Sequence, residues 1–462
     1  MSLLLALALA VPPPAQAVTE ERLRTAYEEA RAALAAEPGF ALPPEARLVL
    51  TDTATVAARI EAENLPLIRL REPDAKKAAE SARQVGAGLA QVVFAKYAWS
   101  TRELLVVPAA WQAQARLLDR PEMTGDAALR AVLAHELVHA WDDARVGLKA
   151  FLTALDSNDA VLAASALIEG HAQFRARRLC AQHGWTPGFE AFTSGIGQVP
   201  EGSSALGEGM LHLLRVQGAS LRSAYHDGER FVAALHAAGG EELVARAFQT
   251  PPGDVETILH PGWYLDPSTR PAVLHDPEPA LDLFAERFPA AEWTANRLSL
   301  QSAQIAAGMT LLPADTVQRV TAPLRAGRAL SLQPSAAPEA KMVVLVVLEF
   351  ESESAARAFV AAAEELGERK DEAMRQGMLR ITDSERAPLE LPDELGITGF
   401  RQRLAMVNGT FAFEVATVDA TRGRLVVELV FSGEPIEDGE LVALAGKVLE
   451  AVRLRPDGDT GR

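Results

Sequence analysis

The chain has one cysteine, Cys180, among 462 residues. A lone cysteine cannot form an intramolecular disulfide, so stability must come from packing. It also excludes zinc modules built on several cysteines. Long apolar runs are absent past the first residues, which leaves no later membrane-span candidate of about 18 residues. Positive charge is scarce as well: 45 Lys and Arg stand against 62 Asp and Glu, a formal net charge of -17. That balance excludes a nucleic-acid partner, which needs a basic face to neutralise phosphate. It equally disfavours an anionic membrane surface and is the ordinary charge of a soluble protein.

Hydrophobic residues make up 48% and charged residues 23%, enough to bury a core. The length suggests two or three domains. Leu3 to Val11 is apolar, Pro12 to Pro14 break it, and Ala15-Gln16-Ala17 offers the small residues of a cleavage site. This pattern predicts a signal peptide over 1–17, although no Lys or Arg precedes it. No cysteine follows the run, so a lipid anchor is not expected. The expectation is a mature protein from about Val18, exported to a periplasm or beyond.

Helical patterns are read over Thr19–Ala36, Thr53–Asn64 and Asp74–Val85. Leu89–Tyr97 and Glu103–Val107 read as a β-hairpin. Asp126–Arg145 reads as one long helix closed by Gly147. Ser157 or Asn158 can cap the next, running towards Gln182. Gly195–Gly207 reads as a loop, and Arg222–Ala238 and Glu241–Phe248 as helices. Pro279–Arg328 carries mixed signals, and Gln333–Pro338 resembles a linker. Strands are read at Met342–Phe350, Arg401–Val407, Thr410–Val418 and Arg424–Phe431, with Asn408-Gly409 a tight turn. Ser354–Leu366 and Asp438–Leu454 read as helices. The expected fold is α+β: a mostly helical domain with a small N-terminal sheet over 18–300, a connecting segment over 301–338, and a smaller α+β domain with an antiparallel sheet over 339–462.

The chemistry concentrates in His135-Glu136-Leu137-Val138-His139. Residues four apart lie one turn apart on a helix face, so both imidazoles can reach one ion. Zinc accepts such nitrogens, and Glu136, the next side chain round, can take a proton from the attacking water without being a ligand. Val132, Leu133, Leu137 and Val138 make the surroundings apolar, where polar side chains need a reason to be.

A third ligand is required. A His-x-x-Gly-x-x-His continuation is excluded, because Asp142 and Arg145 stand where its Gly and last His would be. The next candidates are Glu169 and His171. Two residues apart on a helix, they point about 200° apart and cannot both face the metal. Glu169 is favoured: a buried carboxylate is unfavourable unless it meets a cation. Gly170 beside it costs about 1 kcal/mol relative to Ala in a helix, which signals that another backbone comes close.

His135-Glu136-x-x-His139 followed by Glu169-Gly170-His171-Ala172 resembles the gluzincin clan of zinc peptidases, the thermolysin-like superfamily. More closely it resembles exported bacterial proteins with a His-Glu-Leu-x-His-Ala segment and then Glu-Gly-x-Ala. They continue with a Tyr-x-x-Gly-x-x-Phe segment, here Tyr225 to Phe231, and a Pro-Pro-led segment ending in Leu-His-Pro-x-x-Tyr, here Pro251 to Tyr264. The resemblance covers roughly residues 89–270. It implies His135, His139 and Glu169 as Zn2+ ligands and Glu136 as the base.

Asp143, one turn past His139, could orient a ligand, with Asp142 a near-equal rival. A peptidase needs a donor for the developing oxyanion; His260 is the first candidate and Tyr225 the second. Cys180 lies about 16 Å along the helix from Glu169, too far to share the ion, and is expected buried and inert. In gluzincins an edge strand before the metal helix pairs with the extended substrate, a role that falls here to Glu103–Val107. The functional expectation is a zinc metallopeptidase acting on a peptide or protein. The alternative is a catalytically inactive zinc-binding or scaffold protein of the same fold.

Overall fold

Helix starts follow the capping residues. In the computed structural model Thr19, Asp52, Asp74 and Ser157 each accept a first-turn backbone N–H, the role such side chains fill at helix starts. The structure describes residues 16–197 (except 42, 44, 45, 71 and 73), 218, 221–335, 341–374, 379–389, 396–408 and 411–454. The expected signal peptide up to residue 15, the loop read from residue 198 to Gly207, and Gly409 of the expected turn lie outside them. Two compact units form: Met1–Glu201 with Leu221–Pro261, and Gly202–Ser220 with Gly262–Arg462.

The first unit runs α1 (Glu20–Ala35), β1 (Arg47–Leu50), α2 (Thr53–Arg69), α3 (Ala75–Leu89), β2 (Ala95–Ala98), β3 (Glu103–Val106), α4 (Pro108–Leu117), α5 (Asp126–Val146), α6 (Leu148–Thr153), α7 (Asn158–His183), α8 (Thr186–Thr193), α9 (Gly228–Gln249) and α10 (Val255–Leu259). The hairpin of β2 and β3 forms, but Leu89 belongs to α3. The small stripe Ala78, Ala82 and Gly86 is buried, and a Cβ on Gly86 would stand 2.6 Å from the Ala57 carbonyl oxygen of α2. Close helix packing carries α3 further than local pattern does.

Sheet order is β1–β3–β2, with β1 parallel and β2 antiparallel to β3. This corrects the expectation for Glu103–Val107. That strand has a neighbour on both sides and no free edge; β2 lies at the edge.

α5 is the centre of the unit. Every residue from Ala131 to Asp142 is buried. α5 ends where Gly147 takes φ +66°, a left-handed conformation glycine adopts without a Cβ penalty. α7 packs on α5 and is crossed by α9 at two glycines. A Cβ on Gly170 would lie 2.0 Å from the Gly228 carbonyl carbon, and one on Gly228 would lie 2.1 Å from the Ala166 carbonyl oxygen. α9 kinks at Gly239–Gly240, where φ reaches -156° and +63°, matching two helical segments in the sequence.

The second unit is one antiparallel seven-stranded sheet between helices. Its elements are β4 (His275–Asp276), α11 (Glu278–Ala285), β5 (Trp293–Ser299), α12 (Ser302–Gly308), α13 (Ala314–Thr321), β6 (Leu324–Pro334), β7 (Met342–Phe350), α14 (Glu353–Met374), β8 (Leu379–Pro388), β9 (Ile397–Asn408), β10 (Phe411–Arg422), β11 (Leu425–Ser432), α15 (Asp438–Ala451) and β12 (Arg453–Leu454). The order is β5-β6-β7-β11-β10-β9-β8. Residues of α11 and α15 fill the core on one face; those of α13 and α14 fill the other. The unit boundary falls at Pro261/Gly262, earlier than the 300 expected. β5 pairs with β6 from Trp293↔Pro334 to Ser299↔Arg328, which draws the later part of the expected connecting segment, Leu324–Pro334, and with it the first residues of the expected linker, into this sheet.

The glycine crossing is testable. Gly228→Ala should cost about 1–3 kcal/mol or more, as overpacking against unyielding backbone does. Gly253→Ala, with nothing within 4 Å of its Cβ position, is the control in denaturant unfolding followed by tryptophan fluorescence. Equal midpoints for the two variants would contradict the close crossing.

Candidate metal centre

α5 presents His135 and His139 one turn apart, and α7 brings Glu169 to them. The two Nε2 atoms are 3.0 Å apart. Glu169 Oε2 lies 3.2 Å from His135 Nε2 and 3.3 Å from His139 Nε2. A tetrahedral ion with bonds of about 2.0–2.1 Å holds its ligand atoms about 3.3–3.4 Å apart, close to this triangle. His135 is fully buried, while the Glu169 side chain is 27% exposed. The donor set fits a divalent cation: two imidazole nitrogens and a carboxylate oxygen lie within 4.8 Å of one another. His171 is turned away. Its Nδ1 donates to Asp142 Oδ2 at 2.9 Å, both side chains being buried.

Electrostatics agree with the need for positive charge. Burial pushes the His139 imidazole down, but Glu169 outweighs it and raises the pKa to about 9. Burial pushes Glu169 up, yet His139 and His135 hold it well below the usual carboxylate range.

Glu136 is buried and accepts the Tyr97 backbone N–H at 2.6 Å. The same Tyr97 donates its hydroxyl to Asp143 Oδ2 at 2.9 Å, and Asp143 Oδ1 takes the Leu148 N–H at 2.8 Å. Asp143 therefore ties β2 and the start of α6 to α5, and its hydrogen bonds go to Tyr97 and Leu148 rather than to His135 or His139. Asp142, its rival, is committed to His171. Tyr97 was not legible as a site residue, because its part is played by a backbone N–H that any residue carries. Beside it Lys96 pairs with buried Glu63 at 2.8 Å, and Glu63 also takes the Ser100 N–H and hydroxyl. Burial pushes the Lys96 ammonium down; Glu63, and behind it Glu136 and Glu169, hold it above the usual lysine range.

Tyr225 joins the cluster. Its ring stacks on His135 at 5.5 Å. Burial, then Glu169 and Glu136, push the phenol well above its usual range. The turn Ser223–Asp227 that carries it runs into Gly228, so the glycine crossing also sets the place of Tyr225. His260 closes α10, facing Glu256 across 3.7 Å, and is not a member of the cluster. Cys180 is buried, with its thiol pushed up by burial to about 12.

The pairing has a signature in metal-free protein. A histidine whose pKa rises on folding, from 6.5 to about 9 here, stabilises the fold fully below the lower value and loses that contribution through the higher. Glu169, held low, contributes above the ordinary carboxylate range and loses its part only in acid. With chelator present, the melting temperature should fall from pH 6.5 to 9, and fall less in His139→Gln. A flat or rising wild-type profile over that window contradicts the pairing.

No protein-family model matches the chain, and no curated protein matches it. A solved structure from Chloroflexus aurantiacus, of a protein provisionally described as a hydrolase with a novel fold, is similar over 56% of this chain and 93% of its own, at 19% identity and a TM-score of 0.38. A likeness of that degree assigns neither family nor activity, so the gluzincin resemblance stands on the motif residues alone.

Proposed function

We propose that this chain is an exported, zinc-dependent peptidase acting on peptides or proteins. The observation that carries the reading is the meeting of His135, His139 and Glu169 from two helices, with Glu136 and Tyr225 beside them. Imidazole nitrogens with one carboxylate and an open position form the donor set of catalytic zinc sites. Export rests on the N-terminal apolar run; among the described residues no helix is long and apolar enough to cross a membrane.

Bound zinc would supply Lewis acidity and bring the pKa of its water to about 7. Glu136, held by the Tyr97 N–H, takes the proton of the attacking water and returns it to the leaving amine. Tyr225 keeps its proton across the working pH range and donates to the developing oxyanion. Tyr225 suits that part better than His260, because its ring stacks on His135, whereas His260 faces Glu256 across 3.7 Å.

Purified protein should hold one zinc per chain. Glu169→Ala should lose it and His171→Ala should keep it. Glu136→Gln should keep the metal and lower hydrolysis of a fluorescent casein by about 10²–10⁴-fold. Tyr225→Phe should lower turnover by about 10²–10³-fold, as loss of an oxyanion donor does. Chelator-sensitive hydrolysis that Glu136→Gln leaves unchanged would sink the mechanism. Full zinc occupancy with no hydrolysis of any peptide would favour the catalytically silent alternative.

A further inference from the structure

Lys96 is the one charged residue of β2. Its neighbour Tyr97 gives its backbone N–H to Glu136 and its hydroxyl to Asp143, so the Tyr97 side chain lies on the α5 face of the sheet. Side chains alternate along a strand, which sends Lys96 to the opposite face. There its ammonium meets Glu63 Oε2 of α2 at 2.8 Å. The Glu63 side chain is 4% exposed and that of Lys96 is 25% exposed.

An ammonium at this place calls for a reason. The cluster of His135, His139 and Glu169 is suited to a cation, and a second fixed positive charge nearby works against it. Glu136 and Glu169 are close enough to help hold the proton on Lys96. Glu63 does not depend on Lys96 alone, because its Oε1 takes both the N–H and the hydroxyl of Ser100. An ammonium carries three N–H donors, and among the described residues Glu63 is the ion-pair partner of this one. The exposed part of the side chain leaves donors open to a ligand.

The backbone says where a substrate meets it. Val107 N–H donates to the Phe94 carbonyl, and Lys96 stands opposite Leu105. In an antiparallel pair such bonds recur at every second residue. Lys96 therefore turns its backbone groups towards β3. Ala95 and Tyr97 turn theirs outward, where the Tyr97 N–H finds Glu136. β2 is an outer strand, so an extended peptide along this edge runs past Glu136. A peptide residue opposite Lys96 projects its side chain on the same face, with Cβ atoms about 4.5–5.5 Å apart. At roughly 3.3 Å per residue, it lies within about two positions of the bond next to Glu136.

We propose that Lys96 is a specificity-determining residue: its ammonium selects peptides that present a carboxylate beside the scissile bond. The carboxylate comes from an Asp or Glu side chain or from the free end of a short peptide. This deepens the peptidase reading above and rests on it. Glu63 restrains the ammonium and Ser100 restrains Glu63, so the cation is held in place before substrate arrives. A hydrogen bond between two charged groups is stronger than one between neutral groups.

The test uses quenched fluorescent peptides with amidated ends, in which each position in turn carries Glu, Gln or Lys. A second set of short peptides ends in a free carboxylate or an amide. In wild type kcat/KM should favour the carboxylate member over its amide counterpart by about 10-fold, and Lys at the same position should be worst. The first set responds if a side chain is read, the second if a chain end is read. Lys96→Met should bring the acid-to-amide ratio close to one. Glu63→Gln, which neutralises the partner and keeps the Ser100 contacts, should raise that ratio. A purely structural Lys96 would scale acid and amide peptides alike and leave the ratio unmoved in both variants. If Lys96→Met does not fold, the double variant with Glu63→Gln removes the buried charge left behind. A wild-type ratio within twofold of one in both sets, or a preference that survives Lys96→Met, overturns the role of Lys96 and leaves the peptidase reading intact. No hydrolysis of any peptide overturns both.

Discussion

Two imidazole nitrogens 3.0 Å apart, each within 3.3 Å of one carboxylate oxygen, favour a positive charge between them, which either a proton or a metal can supply. The first unit is arranged around this constraint. Without metal, the proton sits on His139, whose pKa climbs because Glu169 outweighs the penalty of burial. A bound metal would turn the same convergence into a coordination site and release the proton. Burying such a group is unfavourable unless each charge meets a partner, and the surrounding polar side chains are largely engaged: Asp142 with His171, Glu136 and Asp143 with Tyr97, Glu63 with Lys96 and Ser100.

That arrangement also explains the strength of the supports. α5 is wrapped on all sides, so its histidines cannot swing to solvent. β2 is fastened to α5 at two points seven residues apart, through the backbone and the hydroxyl of one tyrosine. Residues 136 and 143 lie two turns apart on one helix face, so Tyr97 fixes both Glu136 and the angle of the helix carrying it. The glycine crossing of α7 and α9 does the same for Glu169 and Tyr225.

Legibility followed the range of each interaction. The two histidines were readable because their spacing is a property of one helix turn. Gly147 and Ser157 were readable for the same local reason. Gly170 announced a close backbone through its unfavourable helix propensity, and that backbone proved to be Gly228. What escaped depends on distant pairing. β3 lies inside its sheet because β1, with Arg47 opposite Glu103, comes from far back in the chain. β5 lies in the second unit only because it pairs with residues beyond Arg328. β8 is an edge strand with many exposed residues, so the alternation that marks a buried strand was weak. Asp143 was placed on the right face of α5, but which neighbour would claim it depended on Tyr97.

α7 shows how one segment came to carry so much of the site. A helix turns about 100° per residue, so consecutive residues must serve different neighbours. Glu169 faces α5 and the metal position. Gly170 faces α9, where nothing larger than hydrogen fits. His171 faces Asp142 and stacks against Trp141. The Glu-Gly-His order is therefore three separate demands read off one turn. Exchanging Glu169 and His171 would put a carboxylate against Asp142, where like charges repel in a low dielectric. It would also leave the cluster with three imidazoles and no negative ligand. The geometry of a single turn fixes which residue joins His135 and His139 and which one meets Asp142.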